Sequence, residues 1–114
     1  MKSEQYGKST TGLQQRAPAA AIPSETGVHY VTFLLSDGDN IAYDLWSLQA
    51  FYSNTIRGTI PMGYTITPSM YDLAPPVALR WYYDNMTPKD YFVCGPSGSS
   101  YVFPSRMPWT PTAV

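Results

Sequence analysis

The feature that most constrains the fold is an apolar run, "VHYVTFLLS", from Val28 to Ser36, which lies between Gly27 and Gly38. It is rich in β-branched and aromatic side chains, which favour strands. A strand with one face in water would alternate apolar and polar residues, whereas this run is apolar almost throughout. We therefore expect a strand that is covered on both faces, as strands of parallel sheets are.

A helical pattern follows this strand. Asn40 is placed to cap a helix that ends near residues 53–54, because apolar residues recur after it at spacings of roughly three to four. The predicted packing residues of this helix are Ile41, Leu45, Trp46, Leu48 and Phe51. The next segment, "GTIPMGYTI", predicts a second strand, in which Pro61 marks a break or an edge.

A second helix and a third strand complete the pattern. "DLAPPVALRWYYDNM" predicts a helix with Pro75 or Pro76 in its first turn. Its predicted packing residues are Leu79, Tyr82, Tyr83 and Met86. "DYFVCG" then predicts a short strand that contains Cys94 at a buried position, since a lone cysteine in an apolar run is most simply a small buried residue.

Alternating strands and helices predict an α/β fold, in which a parallel βαβαβ segment is joined by crossover helices. A complete (β/α) barrel takes about 250 residues, so we expect this chain of 114 residues to be an incomplete part of a barrel-like domain. Residues 28–114 are the predicted N-terminal part of that domain. Residues 1–27 are polar and then Ala/Pro-rich, which predicts a linker or an extended lead-in.

Composition narrows the class of partner. Seven basic and eight acidic residues give a net charge of −1, and without a basic surface we expect neither nucleic acid nor a membrane as partner. Aromatic residues make up 15% of the chain, and ten of them are tyrosines, whose apolar faces and polar edges suit sugar rings. No segment has the ~20 apolar residues of a membrane span or resembles a signal peptide. The lone histidine, His29, is interpreted as structural.

Polar loops follow each predicted strand, namely "SDGDN", "GYTITPSMYD" and "GPSGSSYVFPSR". In parallel α/β folds, the loops at the carboxyl ends of the strands build the functional site. The side chains that these loops would bring to one face are Asp37, Asp39, Asn40, Tyr64, Thr67, Ser97, Tyr101 and Arg106. We expect the site at this edge of the sheet.

Asp37 and Asp39 are the candidate catalytic residues. Because one residue separates them, an extended backbone points both to the same side, with Cα atoms roughly 6 to 7 Å apart. Their carboxyl groups can then reach the separation of ~5 to 9.5 Å used by glycoside hydrolases, in which one carboxylic acid protonates the leaving oxygen and the other is the nucleophile or activates water. Two close carboxylates also raise the pKa of one of them, which favours the acid role.

Two other interpretations of "SDGDN" stay open. It can be only a turn, in which Gly38 supplies a positive φ and Asp39 or Asn40 caps the helix. It can also hold a divalent ion against a sugar nucleotide, as in metal-dependent glycosyltransferases. An EF-hand is excluded, because Ile41 and Leu48 would stand at ligand positions. "GPSGSS" lacks both the lysine of a phosphate loop and the spacing of a serine nucleophile elbow.

Several segments resemble a known family. "YVTFLLSDGDN", "RGTIPMGYTITPSMYDLAPPV" and "WYYDNMTPKDYFVCGPSGSSYVFPSRMP" are together similar to the C-terminal domain of the glycoside hydrolase-like proteins named for a Gly-x-Gly-Tyr-x-Tyr-Pro motif. The similarity runs from about His29 to Pro108. The motif falls on residues 98–104, "GSSYVFP", where Ser100 replaces the second glycine and Phe103 replaces the second tyrosine. Ser100 removes a site of close backbone approach, and Phe103 removes a hydroxyl that could bind substrate.

The resemblance implies an α/β barrel-like catalytic domain, preceded by a separate N-terminal domain, in carbohydrate-processing proteins that are often exported to the periplasm or the extracellular space. It transfers no established catalytic pair, so the roles of Asp37 and Asp39 rest on chemistry and position.

The leading hypothesis is therefore part of a glycoside hydrolase that uses no metal and no cofactor, with Asp37 and Asp39 catalytic. Its predicted substrate-binding residues are Asn40, Tyr64, Thr67, Ser97, Tyr101, Arg106 and Trp109. The expected partners are a carbohydrate substrate and the remainder of a longer parent chain, without which we expect no activity. The alternative from another class is a non-catalytic glycan-binding module, and a metal-dependent glycosyltransferase is the third hypothesis.

Overall fold

The fold is that of a computed structural model, which describes residues 12–15, 24–103 and 105, without the side chain of Pro76. Its strands are β1 (Leu34–Leu35), β2 (Met62–Thr65) and β3 (Asp90–Val93). Its helices are α1 (Ile41–Leu45), α2 (Ser47–Tyr52), α3 (Met70–Leu73) and α4 (Pro76–Asp84). Among these described helices, none is long and apolar enough to cross a membrane.

The strands form a parallel sheet in the order β1-β2-β3. Leu34 lies opposite Gly63 in the first pair, and Tyr64 lies opposite Phe92 in the second. The predicted α/β class and the parallel alternation of strands and helices are confirmed. Because all strands run the same way, the loops that leave β1, β2 and β3 emerge at one edge of the sheet.

The prediction that the first strand is covered on both faces is wrong for the described chain. Only Leu34 and Leu35 form β1, and this strand pairs with β2 alone. Val31 is 73% exposed and Phe33 is 53% exposed. β1 is an edge strand, and the apolar run that leads into it, residues 28–33, is exposed in the described chain.

The predicted first helix is broken at Trp46. Its capping residue is confirmed, because the Asn40 side-chain oxygen accepts hydrogen bonds from the N–H groups of Ala42 (3.0 Å) and Tyr43 (3.3 Å). The Trp46 N–H then donates to the Tyr43 carbonyl, which forms a tightened turn. This turn ends α1 and changes the direction of the chain. The spacing of buried residues in α2 therefore does not continue that of α1. Trp46 is 75% exposed instead of packed.

The same break changes which residues of α2 are buried. Leu48 packs in the core as predicted, but Phe51 is 56% exposed, and the adjacent Tyr52 is fully buried in its place. Ile41 and Leu45 of α1 pack against the core as half-buried residues.

Removal of the Asn40 cap is expected to destabilise the chain moderately. Asn40→Ala leaves the N–H groups at the start of α1 without their acceptor, which typically lowers the free energy of unfolding by about 1 kcal/mol. Urea unfolding monitored by circular dichroism measures the loss. Asn40→Ser keeps a capping oxygen and is the matched control, so an equal loss in both variants would contradict the capping role.

The predicted second helix is confirmed as α4, which begins at Pro76. The preceding α3 is separate, because Ala74 must be extended ahead of a proline (φ −109°, ψ 166°). Leu79 and Tyr82 are buried, and the other two predicted packing residues, Tyr83 and Met86, lie half-buried against the core. Half of the buried core residues are aromatic; the core consists of Leu48, Tyr52, Tyr64, Ile66, Met70, Leu79, Tyr82 and Phe92.

β3 is confirmed, but Cys94 is exposed, so its predicted buried position is wrong. β3 ends at Val93, and the cysteine already belongs to the loop that follows. On the outer edge of β3 the side-chain amide of Gln15 bonds to both backbone groups of Phe92, donating to the carbonyl and accepting from the N–H. Residues 12–15, which fall within the predicted lead-in, thus cover part of this edge.

Candidate active site

The "SDGDN" loop is packed tightly against the end of β2. The Gly38 N–H donates to the Thr65 hydroxyl (2.7 Å), which in turn donates to the Leu35 carbonyl at the end of β1 (3.0 Å). A Cβ atom at Gly38 would lie 1.9 Å from the Thr65 carbonyl oxygen. Glycine is therefore required here for close backbone approach.

The proposed positive φ at Gly38 is wrong, because Asp37 adopts it instead (φ 84°). Aspartate is among the few non-glycine residues that enter this region readily. The turn closes with the Asn40 N–H on the Asp37 carbonyl (3.2 Å). Asp37 thus projects from a sharp turn at the exposed surface.

The loop after β3 encloses Asp39. The Ser97 hydroxyl donates to the Asp39 carboxylate (3.1 Å), and the Asp39 carbonyl accepts from the Tyr101 N–H (3.1 Å) and the Ser100 hydroxyl (3.3 Å). A Cβ atom at Gly95 would lie 2.6 Å from the Asp39 nitrogen, so glycine is needed here as well. Asp39 is left only 5% exposed.

Asp37 has a different environment, although it is only two residues away. It is exposed, and the Tyr101 hydroxyl donates to its carboxylate (3.3 Å). The negative charges of Asp37 and then Asp39 raise the pKa of the Tyr101 phenol, which keeps it a donor. The Tyr101 ring is 51% exposed and stacks on Phe103. An open carboxylate and a nearly enclosed one therefore lie beside an exposed aromatic pair.

Thr67 and Tyr64 face inwards instead of lining this surface. Thr67 is fully buried; its hydroxyl donates to the Ser99 carbonyl and contacts the Ser69 hydroxyl (2.9 Å), which ties the second loop to the third. Tyr64 is 3% exposed and packs edge-on against Tyr52 in the core. Burial raises the pKa of the Tyr64 phenol, and the charge of Asp90 raises it further.

The remaining predicted binding residues fall outside this cluster. The Asn40 side chain is engaged as the cap of α1. Arg106 and Trp109 lie outside the described residues. The structure therefore brings together Asp37, Asp39, Ser97 and Tyr101. Asn40 and Thr67 hold the elements around this cluster, and Tyr64 belongs to the core.

Asp44 is a carboxyl group at this edge that the sequence analysis did not select. It lies in α1 and is fully buried, and its Oδ2 accepts from the Thr67 N–H (3.1 Å). The pKa of this carboxyl is raised from 3.8 to about 7 overall: burial raises it most, the hydrogen bond from the Thr67 N–H lowers it, and the charges of Asp39 and Asp37 raise it. The spacing Ile41, Asp44, Leu48 places it on the buried face of the helical pattern and could have indicated it.

The carboxylates do not assemble into a metal site within the described part of the chain. No group of three or more His, Cys, Asp or Glu side chains in residues 12–15, 24–103 and 105 is placed to hold a metal ion. The described site therefore offers carboxyl, hydroxyl and aromatic groups.

Comparison with known proteins identifies the family. The sequence profile of the GxGYxYP putative glycoside hydrolase C-terminal domain matches residues 27–113. The chain belongs to this family. A crystal structure of a putative hydrolase from Bacteroides thetaiotaomicron is similar at 60% sequence identity and a TM-score of 0.73, over 87% of this chain and 19% of that chain. The comparison with curated proteins found no match.

In this GxGYxYP domain, the residues of the naming motif contact the two aspartates. Gly98 has a positive φ (82°), Ser99 accepts the bonds of the second loop, and Ser100 and Tyr101 bond to Asp39. Ser100, which replaces the second glycine of the motif, contributes a hydroxyl bond of its own to the Asp39 carbonyl. The motif therefore helps to hold "SDGDN" in place.

Proposed function

We propose that this GxGYxYP domain supplies the carboxyl groups of Asp37 and Asp39 to a glycoside hydrolase site. The observation that carries the proposal is the meeting of the β1 and β3 loops, in which Ser97 and Tyr101 bond to the two carboxylates. Membership of the family and the similarity to a structure described as a putative hydrolase support it.

The two aspartates have different environments, which suits two different catalytic roles. Pairs of carboxyl groups that differ in solvation and hydrogen bonding act as separate acid and nucleophile or base in glycoside hydrolysis. Asp37 is open to solvent, whereas Asp39 is held by Ser97. The proposal assigns acid/base or nucleophile roles to these two side chains together.

The proposed sugar contacts are the exposed groups beside the carboxylates. Tyr101 presents half of its ring to solvent next to Phe103, and aromatic faces of this kind pack against sugar rings. Ser97 adds a hydroxyl, and Arg106 and Trp109, which follow in the sequence, stay predicted contacts. Asn40 and Thr67 are proposed to act by holding the loops, and Tyr64 by its packing in the core.

The proposal also places the described strands in a larger, barrel-like sheet. A further strand beside β1 would pair its free backbone edge, and elements packed on the faces of such a sheet would cover Val31 and Phe33, which are exposed in the described chain. On the other edge, a strand beside β3 would take the place of Gln15 at Phe92. The similar hydrolase structure has a chain of which only 19% is matched, so it is long enough to hold such strands.

The test is reducing-sugar release from a broad glycan panel by the longest natural polypeptide that carries this sequence. Asp37→Asn and Asp39→Asn are each expected to lower turnover by about 10² to 10⁴-fold, the usual contribution of a positioned acid or base. Asp84→Asn is the control, because Asp84 is exposed on α4, where it pairs with Arg80. Turnover that survives in both site variants would contradict the proposal.

A glycan-binding module is the second candidate, and the enclosure of Asp39 favours it. An aspartate that is 5% exposed and bonded by Ser97 fits a turn-ordering role as well as a catalytic one. Glycan binding without turnover in the unmodified protein, retained in Asp37→Asn, would establish this candidate in place of the hydrolase.

A further inference from the structure

Asp44 has an oxygen that the fold does not satisfy. Its side chain is fully buried, and within the described residues Oδ1 has no hydrogen-bond partner, whereas Oδ2 accepts from the Thr67 N–H. Buried polar atoms are nearly always paired, because an unpaired one pays the full cost of leaving water. A buried carboxyl group that has an unpaired oxygen and interacts with two other carboxylates indicates a functional role.

We propose that Asp44 is a positioning residue of the Asp37–Asp39 site, where its side chain ties the helix that follows the two aspartates to the loop that follows β2. Its role in a reaction rests on the proposed function, whereas its contacts and its charge coupling do not. Since the carboxyl group is fully buried, it reaches no substrate, and it acts through its neighbours.

A chain of contacts connects Asp44 to all the strand-end loops. α1, which carries Asp44, begins directly after Asp39 and the Asn40 cap. Asp44 bonds to Thr67 after β2, and Thr67 bonds to Ser99 in the loop after β3. In that same loop, the Ser97 hydroxyl donates to the Asp39 carboxylate. Loss of the Asp44 carboxyl would therefore loosen the positions of the loops that hold the aspartates.

Electrostatics couple Asp44 to the same residues. Burial and the charges of Asp39 and Asp37, which lie in the first loop, together raise its pKa to about 7, although the Thr67 hydrogen bond lowers it. Tyr43 on its own helix and Tyr82 on α4 are the titratable groups beside it, and burial raises the pKa of both phenols, to which the charge of Asp44 adds. The Tyr82 hydroxyl also donates to the Asp44 backbone carbonyl. Because such coupling is reciprocal, a proton on Asp44 removes one negative charge from beside Asp37 and Asp39.

Nuclear magnetic resonance titration of the full chain from pH 4 to pH 9 tests the proposal. The chemical shifts of the Asp44 carboxyl carbon and the Thr67 amide are expected to change together with a midpoint near pH 7. The reason is that the hydrogen bond from the Thr67 N–H strengthens when the Asp44 carboxyl becomes charged. The Asp39 carboxyl carbon is expected to show an inflection at the same pH. In Asp44→Asn, which keeps an acceptor for Thr67, the inflection near pH 7 at Thr67 and Asp39 should disappear.

Asp84→Asn is the matched control and should leave every midpoint unchanged. Titration of Asp44 below about pH 5, or an Asp39 inflection that persists in Asp44→Asn, would overturn the proposal. If Asp44→Asn does not fold, the wild-type titration decides, since absence of the shared midpoint at Thr67 and Asp39 is already a refutation. The result does not depend on sugar turnover, so a glycan panel without activity would refute the hydrolase and leave the coupling standing.

Discussion

Gly38→Ala is expected to destabilise the chain severely, by more than about 3 kcal/mol in the free energy of unfolding. The added Cβ would lie 1.9 Å from the carbonyl oxygen and 2.1 Å from the carbonyl carbon of Thr65. Both atoms belong to the backbone of β2, so no side-chain rotation relieves the clash. Overpacking that shifts backbone typically costs 1–3 kcal/mol, and more where the neighbour is fixed. The variant must move "SDGDN" away from β2.

Gly27→Ala is the control for the backbone conformation alone. Gly27 has a positive φ of 84° and nothing within 4 Å of an added Cβ, so we expect a loss of about 1 kcal/mol. Urea unfolding of both variants gives the comparison. Losses of similar size would show that the close approach at Thr65 is unimportant. A loss confined to Gly38→Ala would mean that the position of the Asp37–Asp39 loop depends on contact with β2.

The alternation of strands and helices was predictable because its signals are local. Apolar runs separated by helical spacing indicate the element types, and Asn40 and the Pro75–Pro76 pair mark helix starts by their own hydrogen-bonding properties. Parallel order then follows from connection lengths. The meeting of the Asp39 and Ser97 loops follows from parallel order, since the carboxyl ends of the strands share one edge.

What the sequence could not show depends on distances between segments remote in the chain. The break at Trp46 exchanges Phe51 for Tyr52 in the core, and no local signal separates these adjacent aromatic residues. The need for glycine at position 38 arises from the proximity of β2, and the turn takes its positive φ at Asp37 instead. Such contacts are decided only by packing.

The exposed first strand and the buried Asp44 illustrate two further kinds of failure. "VHYVTFLLS" has the composition of a covered strand, but whether a strand is covered depends on its neighbours. In the described residues β1 has one neighbouring strand, β2. Asp44 is hard to recognise from sequence, because a carboxylate in the first turn of a helix is usually solvated and favoured by the helix dipole. Its spacing from Ile41 and Leu48, however, indicates a position on the buried face of the helix.

Arg57→Met is expected to have the second large effect, a loss of about 3–5 kcal/mol in the free energy of unfolding. Arg57 forms an ion pair with Asp90, a fully buried carboxylate at the start of β3, and also donates to the Asn85 carbonyl (2.9 Å). Its guanidinium lies 3.9 Å from the centre of the Tyr52 ring. Methionine would keep much of the apolar packing but leave the Asp90 charge buried without its counter-ion.

A double-variant cycle separates loss of the charge pair from loss of packing. Asp90→Asn keeps an acceptor for the Thr87 N–H (2.7 Å) but carries no charge, so adding it to Arg57→Met should recover more than about 1 kcal/mol of the summed single losses. Asp84→Asn breaks an exposed pair with Arg80 (2.9 Å) and should cost less than about 1 kcal/mol. Additive losses in the cycle would mean that Arg57 stabilises the chain through Tyr52 and Asn85 alone. Strong coupling would instead identify the Arg57–Asp90 pair, at the opposite end of the strands from Asp37 and Asp39, as the anchor that holds β3 beneath the proposed site.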